Sequence, residues 1–196
     1  VSAPHEGHGD PRVAFESAKL GLWTFLATEV LLFGALFTAY AVFRAKYPAL
    51  FHSEHLKLNR VLGTLNTVVL ITSSLTVVLG VDAIRRGKAR LLERYYAVTI
   101  VLGAVFLCVK YIEWTGEFHH GRYPDSNIFF SLYFMMTGLH GIHVILGMGV
   151  LAYVVVLSRR GRFSGEYHTP AEVAGLYWHF VDLVWIYLLP LLYLIG

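Results

Sequence analysis

Near the C-terminus, the run Tyr177-Trp178-His179-Phe180-Val181-Asp182-Leu183-Val184-Trp185 places an imidazole and a carboxylate inside an otherwise apolar stretch. On a helix His179 and Asp182, three apart, share one face, and Trp178 and Trp185, seven apart, share a neighbouring one. An aspartate at bilayer depth costs roughly 2.5–3.5 kcal/mol on insertion scales unless it is paired, protonated or turned toward a packed interior. Partners therefore have to come from other apolar stretches. Glu29 stands in Phe25-Leu26-Ala27-Thr28-Glu29-Val30-Leu31-Leu32-Phe33, with no cation at helical spacing. Its carboxyl is expected to be protonated or to meet a group on another helix. His140 and His143 lie on one face of Gly138-Leu139-His140-Gly141-Ile142-His143-Val144, with Gly147 a turn further on to admit a neighbour. Two histidines at this spacing resemble part of a metal site, but no third or fourth ligand of the right kind is evident.

Counted from their membrane edges, Glu29, His140, His143 and Asp182 all fall near the midplane, with His179 slightly to one side. Burying them together satisfies each, whereas any one facing lipid is expensive. Depth and charge type favour pairing Glu29 with His143, and His140 with the His179–Asp182 pair. Replacing Asp182 with leucine is then expected to strand its partners.

Helices must position these groups, and composition says they cross a membrane. The chain has 196 residues, 56% hydrophobic and 15% charged, with a mean hydropathy of +0.57, which excludes an ordinary soluble domain. Its 18 Gly and 29 Phe, Trp and Tyr suit close helix packing and interfacial belts. The formal charge of +3 sits in loops, so no nucleic-acid partner is expected. A lone cysteine, Cys108, excludes an internal disulfide and any site needing two thiolates.

Five apolar segments, about 17–43, 59–84, 92–116, 127–157 and 171–195, are each long enough to span a core of about 30 Å. The expected fold is an all-α, five-helix transmembrane bundle over 17–196. A flexible polar tail, 1–16, precedes it, with His5, Glu6, His8 and Asp10; having no apolar run, it leaves the first hydrophobic segment in the membrane. Ten Lys and Arg flank one side (Arg12, Lys19, Arg85, Arg86, Lys88, Arg90, Arg94, Arg159, Arg160, Arg162). Five flank the other (Arg44, Lys46, Lys57, Arg60, Arg122). The positive-inside rule then puts the N-terminus inside and the C-terminus outside.

Along the second segment Asn59, Asn66, Ser73 and Gly80 recur every seven residues, a polar and small-residue stripe for helix packing. Lys110 and Glu113, three apart, are expected to pair near the interface with the lysine snorkelling outward. His119 and His120 are expected to be exposed in the following turn.

Together these motifs resemble subunit III of the haem-copper cytochrome c oxidases. The resemblance rests on the Tyr177–Trp185 run, the Gly138–Val144 run, Leu65-Asn66-Thr67, Glu29-Val30-Leu31-Leu32-Phe33 and Tyr111-Ile112-Glu113-Trp114, in register from Leu20 onward. It begins at the equivalent of the third helix of longer, seven-helix members. It implies a non-catalytic subunit of a bacterial terminal oxidase in the plasma membrane. In such a complex oxygen reduction is coupled to proton pumping, with haem and copper held by the partner subunits I and II. No catalytic residue and no metal site are then expected in this chain. The implied role is to pack on subunit I, bind phospholipid and support proton uptake. Glu29 corresponds to the family's intramembrane glutamate, and His140, His143, His179 and Asp182 to its buried polar positions. Arg159 and Arg160 fit an anionic lipid headgroup site by position and charge. The alternatives are a quinol oxidase subunit on the same plan, a cytochrome b anchor using His140, His143 and His179 as haem ligands, and a proton channel using Glu29. No broken helix or inverted repeat supports the channel.

Overall fold

The computed structural model describes residues 11–161 and 169–195, with side chains from residue 20 onward. His5, Glu6, His8, Asp10, Arg162 and the side chains of Arg12 and Lys19 lie outside the described residues. The described elements are all helical: α1 (Pro11–Lys46), α2 (Pro48–His55), α3 (Arg60–Arg85), α4 (Ala89–His119), α5 (Ile128–Arg159) and α6 (Thr169–Leu189), closed by a π-helical turn, Pro190–Leu194. Five of them are long and apolar enough to cross a membrane. Residues 11–16, expected as part of the flexible tail, are instead continuous with the first crossing helix.

Local signals fix the ends. Asn59 caps α3 by accepting from the amides of Val61 and Leu62, and Asn127 caps α5 by accepting from Phe130. α3, α4 and α5 each run into a glycine at positive φ: Gly87 at 70°, Gly121 at 72° and Gly161 at 69°. That left-handed residue releases the last carbonyls without a Cβ clash. Pro48 starts α2, where its missing N–H would lack an intrahelical partner anyway. This short helix, not expected from the sequence, is seated by Phe51, which is fully buried and edge-on to Tyr40 at 5.1 Å and Phe129 at 5.4 Å. Tyr40 ties α1 to the closing turn by donating to the Leu191 carbonyl at 2.7 Å.

α6 is the core helix, packed on α1, α3 and α5. Its two tryptophans are fully buried. Trp178 lies between glycines: a Cβ at Gly103 or at Gly147 would come within 2.9 Å of its ring. The Trp178 indole donates to Ser73 of the α3 stripe at 2.9 Å, and that of Trp185 to Thr67 beside the stripe at 3.0 Å, so α3 accepts from α6 through hydroxyls. Asn66 is fully buried with its Nδ2 only 3.5 Å from the Phe106 carbonyl. Gly80 lets Tyr96 lie so close that a Cβ there would be 2.7 Å from the ring.

Candidate functional site

The five intramembrane polar residues resolve into three separate arrangements. Glu29 of α1 and His143 of α5 meet: Oε2 to Nε2 is 2.8 Å, with side chains 12% and 9% exposed. His143 Nδ1 is 2.8 Å from the Leu139 carbonyl one turn back. A carbonyl only accepts, so Nδ1 carries the proton and Nε2 faces Glu29 either as an acceptor from a neutral carboxyl or as a donor from an imidazolium. Both forms hold one shared proton, so the pair has no net charge. Phe33 packs edge-on against the ring at 5.3 Å and shields one side. An apolar groove of about 170 Å3 between α1 and α6, walled by Phe33, Phe37, Leu183 and Tyr187 among others, opens beside it.

His140 does not join His179 and Asp182. It is fully buried, and neither ring nitrogen has a hydrogen-bond partner. Phe106 at 5.4 Å and Trp185 at 5.3 Å flank its ring instead. The reason is angular: residues three apart on a helix diverge by about 60°. While His143 points to α1, His140 points into the seam with α4 and α6 that Trp185 fills. His179 turns to α3, where its Nδ1 lies 2.5 Å from Ser74 Oγ. Asp182, 4% exposed, faces that same hydroxyl, but neither of its oxygens makes a hydrogen bond of normal length.

Lys110 and Glu113 pair as expected, at 3.0 Å, but not at the interface. Neither snorkels: Lys110 is 6% and Glu113 3% exposed. Lys110 Nζ donates to Glu113 at 3.0 Å, to Tyr133 at 3.2 Å and to Tyr193 at 2.9 Å. Tyr133 and Tyr193 donate in turn to the other Glu113 oxygen, at 2.9 and 2.5 Å. The cluster joins α4, α5 and the closing turn. The missed signal was depth. α4 runs to His119 rather than ending near Gly116, which puts Lys110 about 14 Å from the helix end, farther than a lysine side chain extends.

At the opposite end of α5, Arg159 Nε is 3.6 Å from Glu93, whose other oxygen accepts from Ser158 at 3.0 Å. Arg159 and Arg160 are both exposed.

Haem or metal ligation does not fit these histidines. His143 is engaged by Glu29, His179 by Ser74, and His140 is closed in by two aromatic rings. Among the described residues no three His, Cys, Asp or Glu side chains converge as a metal site. Fold and site together define a multi-pass helical membrane protein whose intramembrane polar groups face one another or the packed core.

Comparison with known proteins makes this specific. The cytochrome c oxidase subunit III family matches residues 3–196. The cytochrome c oxidase subunit 3 of Thermostichus vulcanus is 37% identical over 196 residues, covering all of this chain and 92% of the relative. That of Synechocystis sp. is 36% identical over 192 residues, 97% of this chain and 78% of the relative. That of Corynebacterium diphtheriae is 37% identical over 182 residues, 90% and 87%. The chain belongs to the cytochrome c oxidase subunit III family.

Proposed function

We propose that the chain serves as the non-catalytic subunit III of a bacterial haem-copper terminal oxidase in the plasma membrane. It packs on the catalytic subunit, with a second redox subunit nearby, in a complex that reduces oxygen to water and pumps protons. The observation that carries this reading is the family match over residues 3–196, which takes in every membrane-crossing helix. Haem and copper chemistry then belongs to subunits I and II, and this chain contributes shape, lipid contact and support for proton uptake.

The five-residue polar set is proposed as internal fastening, not catalysis: Glu29–His143 holds α1 on α5, His179–Ser74 holds α6 on α3, and His140 and Asp182 pack in the core. The exposed Arg159 and Arg160, on the side carrying ten of the flanking cations, suit a phospholipid phosphate in the inner leaflet. The same count puts the N-terminus inside and the C-terminus outside. A quinol oxidase on the same plan is the second reading, favoured by nothing particular in these residues; the electron donor is chosen by other subunits.

The test is purification of the tagged chain from its native membrane in mild detergent. Larger haem-containing subunits should accompany it, and the preparation should consume oxygen with reduced cytochrome c. Consumption with quinol alone moves the assignment to the second reading. A chain that purifies without haem subunits, or that itself holds stoichiometric haem lost on substituting His140, His143 or His179, defeats the proposal.

A further inference from the structure

A pocket of about 350 Å3 opens at the end of the bundle where α3 begins and α4 ends, and Glu113, with 1% of its side chain exposed, is part of its wall. Its rim carries Lys57, Asn59, His120 and Arg122, with Glu117 between rim and floor. The rim charges are already paired, Arg122 with Glu117 at 2.7 Å and Lys57 with Glu54 at 2.7 Å. They therefore offer no unpaired cation for an anionic ligand. Beneath the floor lies the Lys110–Glu113–Tyr133–Tyr193 cluster, in which five hydrogen bonds connect four groups drawn from three elements.

A cluster that only fastens helices needs no polar opening above it. This one has a pocket large enough for several waters, in which Lys57, Asn59, Glu117, His120 and Arg122 offer them partners among the apolar walls of Leu62 and Ile112. Within the cluster every proton sits on a group already bonded to a neighbour that can take it, so one exchange at Glu113 re-sorts the rest. We propose that Lys110, Glu113, Tyr133 and Tyr193 form a proton-exchanging site, reached by water from this end of the bundle through the pocket beside Gly116. Protons pass between the Glu113 carboxylate and pocket water, and the ammonium and the two phenols exchange theirs through Glu113.

The groups that face the site are few. α4 supplies Lys110, Glu113 and Glu117, α5 supplies Tyr133, and the closing turn supplies Tyr193. His140 of α5 stands deeper, behind Trp185, whose ring lies 5.2 Å from Lys110 Nζ. Around the rim are Glu54, His55, Lys57, Arg60, His120 and Arg122. The site is independent of the Glu29–His143 pair and of the oxidase reading, since it rests only on this chain's own geometry.

Gly116 makes the proposal testable. A Cβ added there meets nothing within 4 Å, and the residue lines the pocket, so Gly116→Phe plugs the opening without a steric conflict at its first atom. Ile112→Trp, from an exposed wall residue, is a second plug. The measurement is infrared-detected exchange into D2O of the two tyrosine hydroxyls, in the chain purified with its accompanying subunits. Bands are assigned by difference against Tyr133→Phe and Tyr193→Phe. The hydroxyls should exchange much faster than the backbone amides of α4, and each plug should slow them about tenfold or more while amide exchange elsewhere is unchanged. Hydroxyls that exchange no faster than those amides mean a sealed structural cluster and overturn the proposal. Fast exchange untouched by either plug overturns the route.

Discussion

The chain buries ionisable side chains in two different ways, at Glu29–His143 and at Lys110–Glu113–Tyr133–Tyr193. The first is a pair: one hydrogen bond between α1 and α5, each side chain still about a tenth exposed, beside an apolar groove. The second is a knot of four groups whose side chains are at most 8% exposed, with Glu113 accepting from three donors. The difference lies in what a single loss leaves behind. A pair that shares one proton is neutral as a unit, and a neutral amide can replace one half. The knot contains a lysine whose ammonium is bonded only inside the bundle, so removing its counter-charge leaves several donors facing nothing.

The largest effect is therefore expected at the knot. Glu113→Leu or Lys110→Met alone should destabilise the protein by about 3–5 kcal/mol, because each strands a buried charge. The double substitution should cost much less than the sum, since it removes both charges and leaves two tyrosines that can bond one another. Unfolding of the purified protein in denaturing detergent, run as a double-mutant cycle, measures this. Additive losses would remove the distinction between knot and pair.

Legibility from sequence follows the same divide. The five crossings were legible because a bilayer demands about twenty apolar residues per helix, and the segments and the helices agree closely. The Glu29–His143 contact was reachable from depth and charge type. What depth could not supply is azimuth: His140 and His143 are one turn apart on α5 yet face different neighbours, and only the packing of Phe106 and Trp185 decides which. Of the knot, the Lys110–Glu113 contact was legible but its two phenols were not, because tyrosine in an apolar stretch reads as core or interfacial aromatic until its hydroxyl is placed. α2 was missed because eight residues between crossings carry no helical period worth the name.

A smaller effect tests whether shape or polarity sets the position of α5. Gly147→Ala puts a methyl 2.9 Å from the Trp178 ring and should cost about 1–3 kcal/mol as overpacking. Gly149→Ala, two residues on and facing open space, should be neutral or slightly stabilising through helix propensity. Thermal melts of the two variants side by side report the contrast. Equal behaviour would mean that the Trp178 slot between Gly103 and Gly147 is not tight.

Next comes the pair itself. Glu29→Gln should change stability by less than about 1 kcal/mol, because an amide N–H can donate to His143 Nε2 while Nδ1 keeps its bond to Leu139. Glu29→Leu removes the partner and should cost about 1–3 kcal/mol. Retention of the subunit in the detergent-purified complex is the readout. Loss of the subunit in Glu29→Gln would show that the carboxylate charge, not the hydrogen bond, holds α1.

The smallest effect is expected at Asp182, where the sequence argued for stranded partners. Its oxygens make no hydrogen bond of normal length, and the nearest hydroxyl, that of Ser74, is engaged by His179, its expected companion. Replacing an unsatisfied buried carboxyl with an apolar side chain of similar size strands nothing and ends a desolvation penalty. Asp182→Leu should thus be neutral within about 1 kcal/mol or stabilising. Asp182→Asn, which keeps the polarity, should do no better than the wild type. The two variants compared in the same unfolding assay give the ordering Leu at or above Asn. The reverse ordering would mean that the carboxyl at this depth does have a partner in the assembled complex, one brought by another subunit.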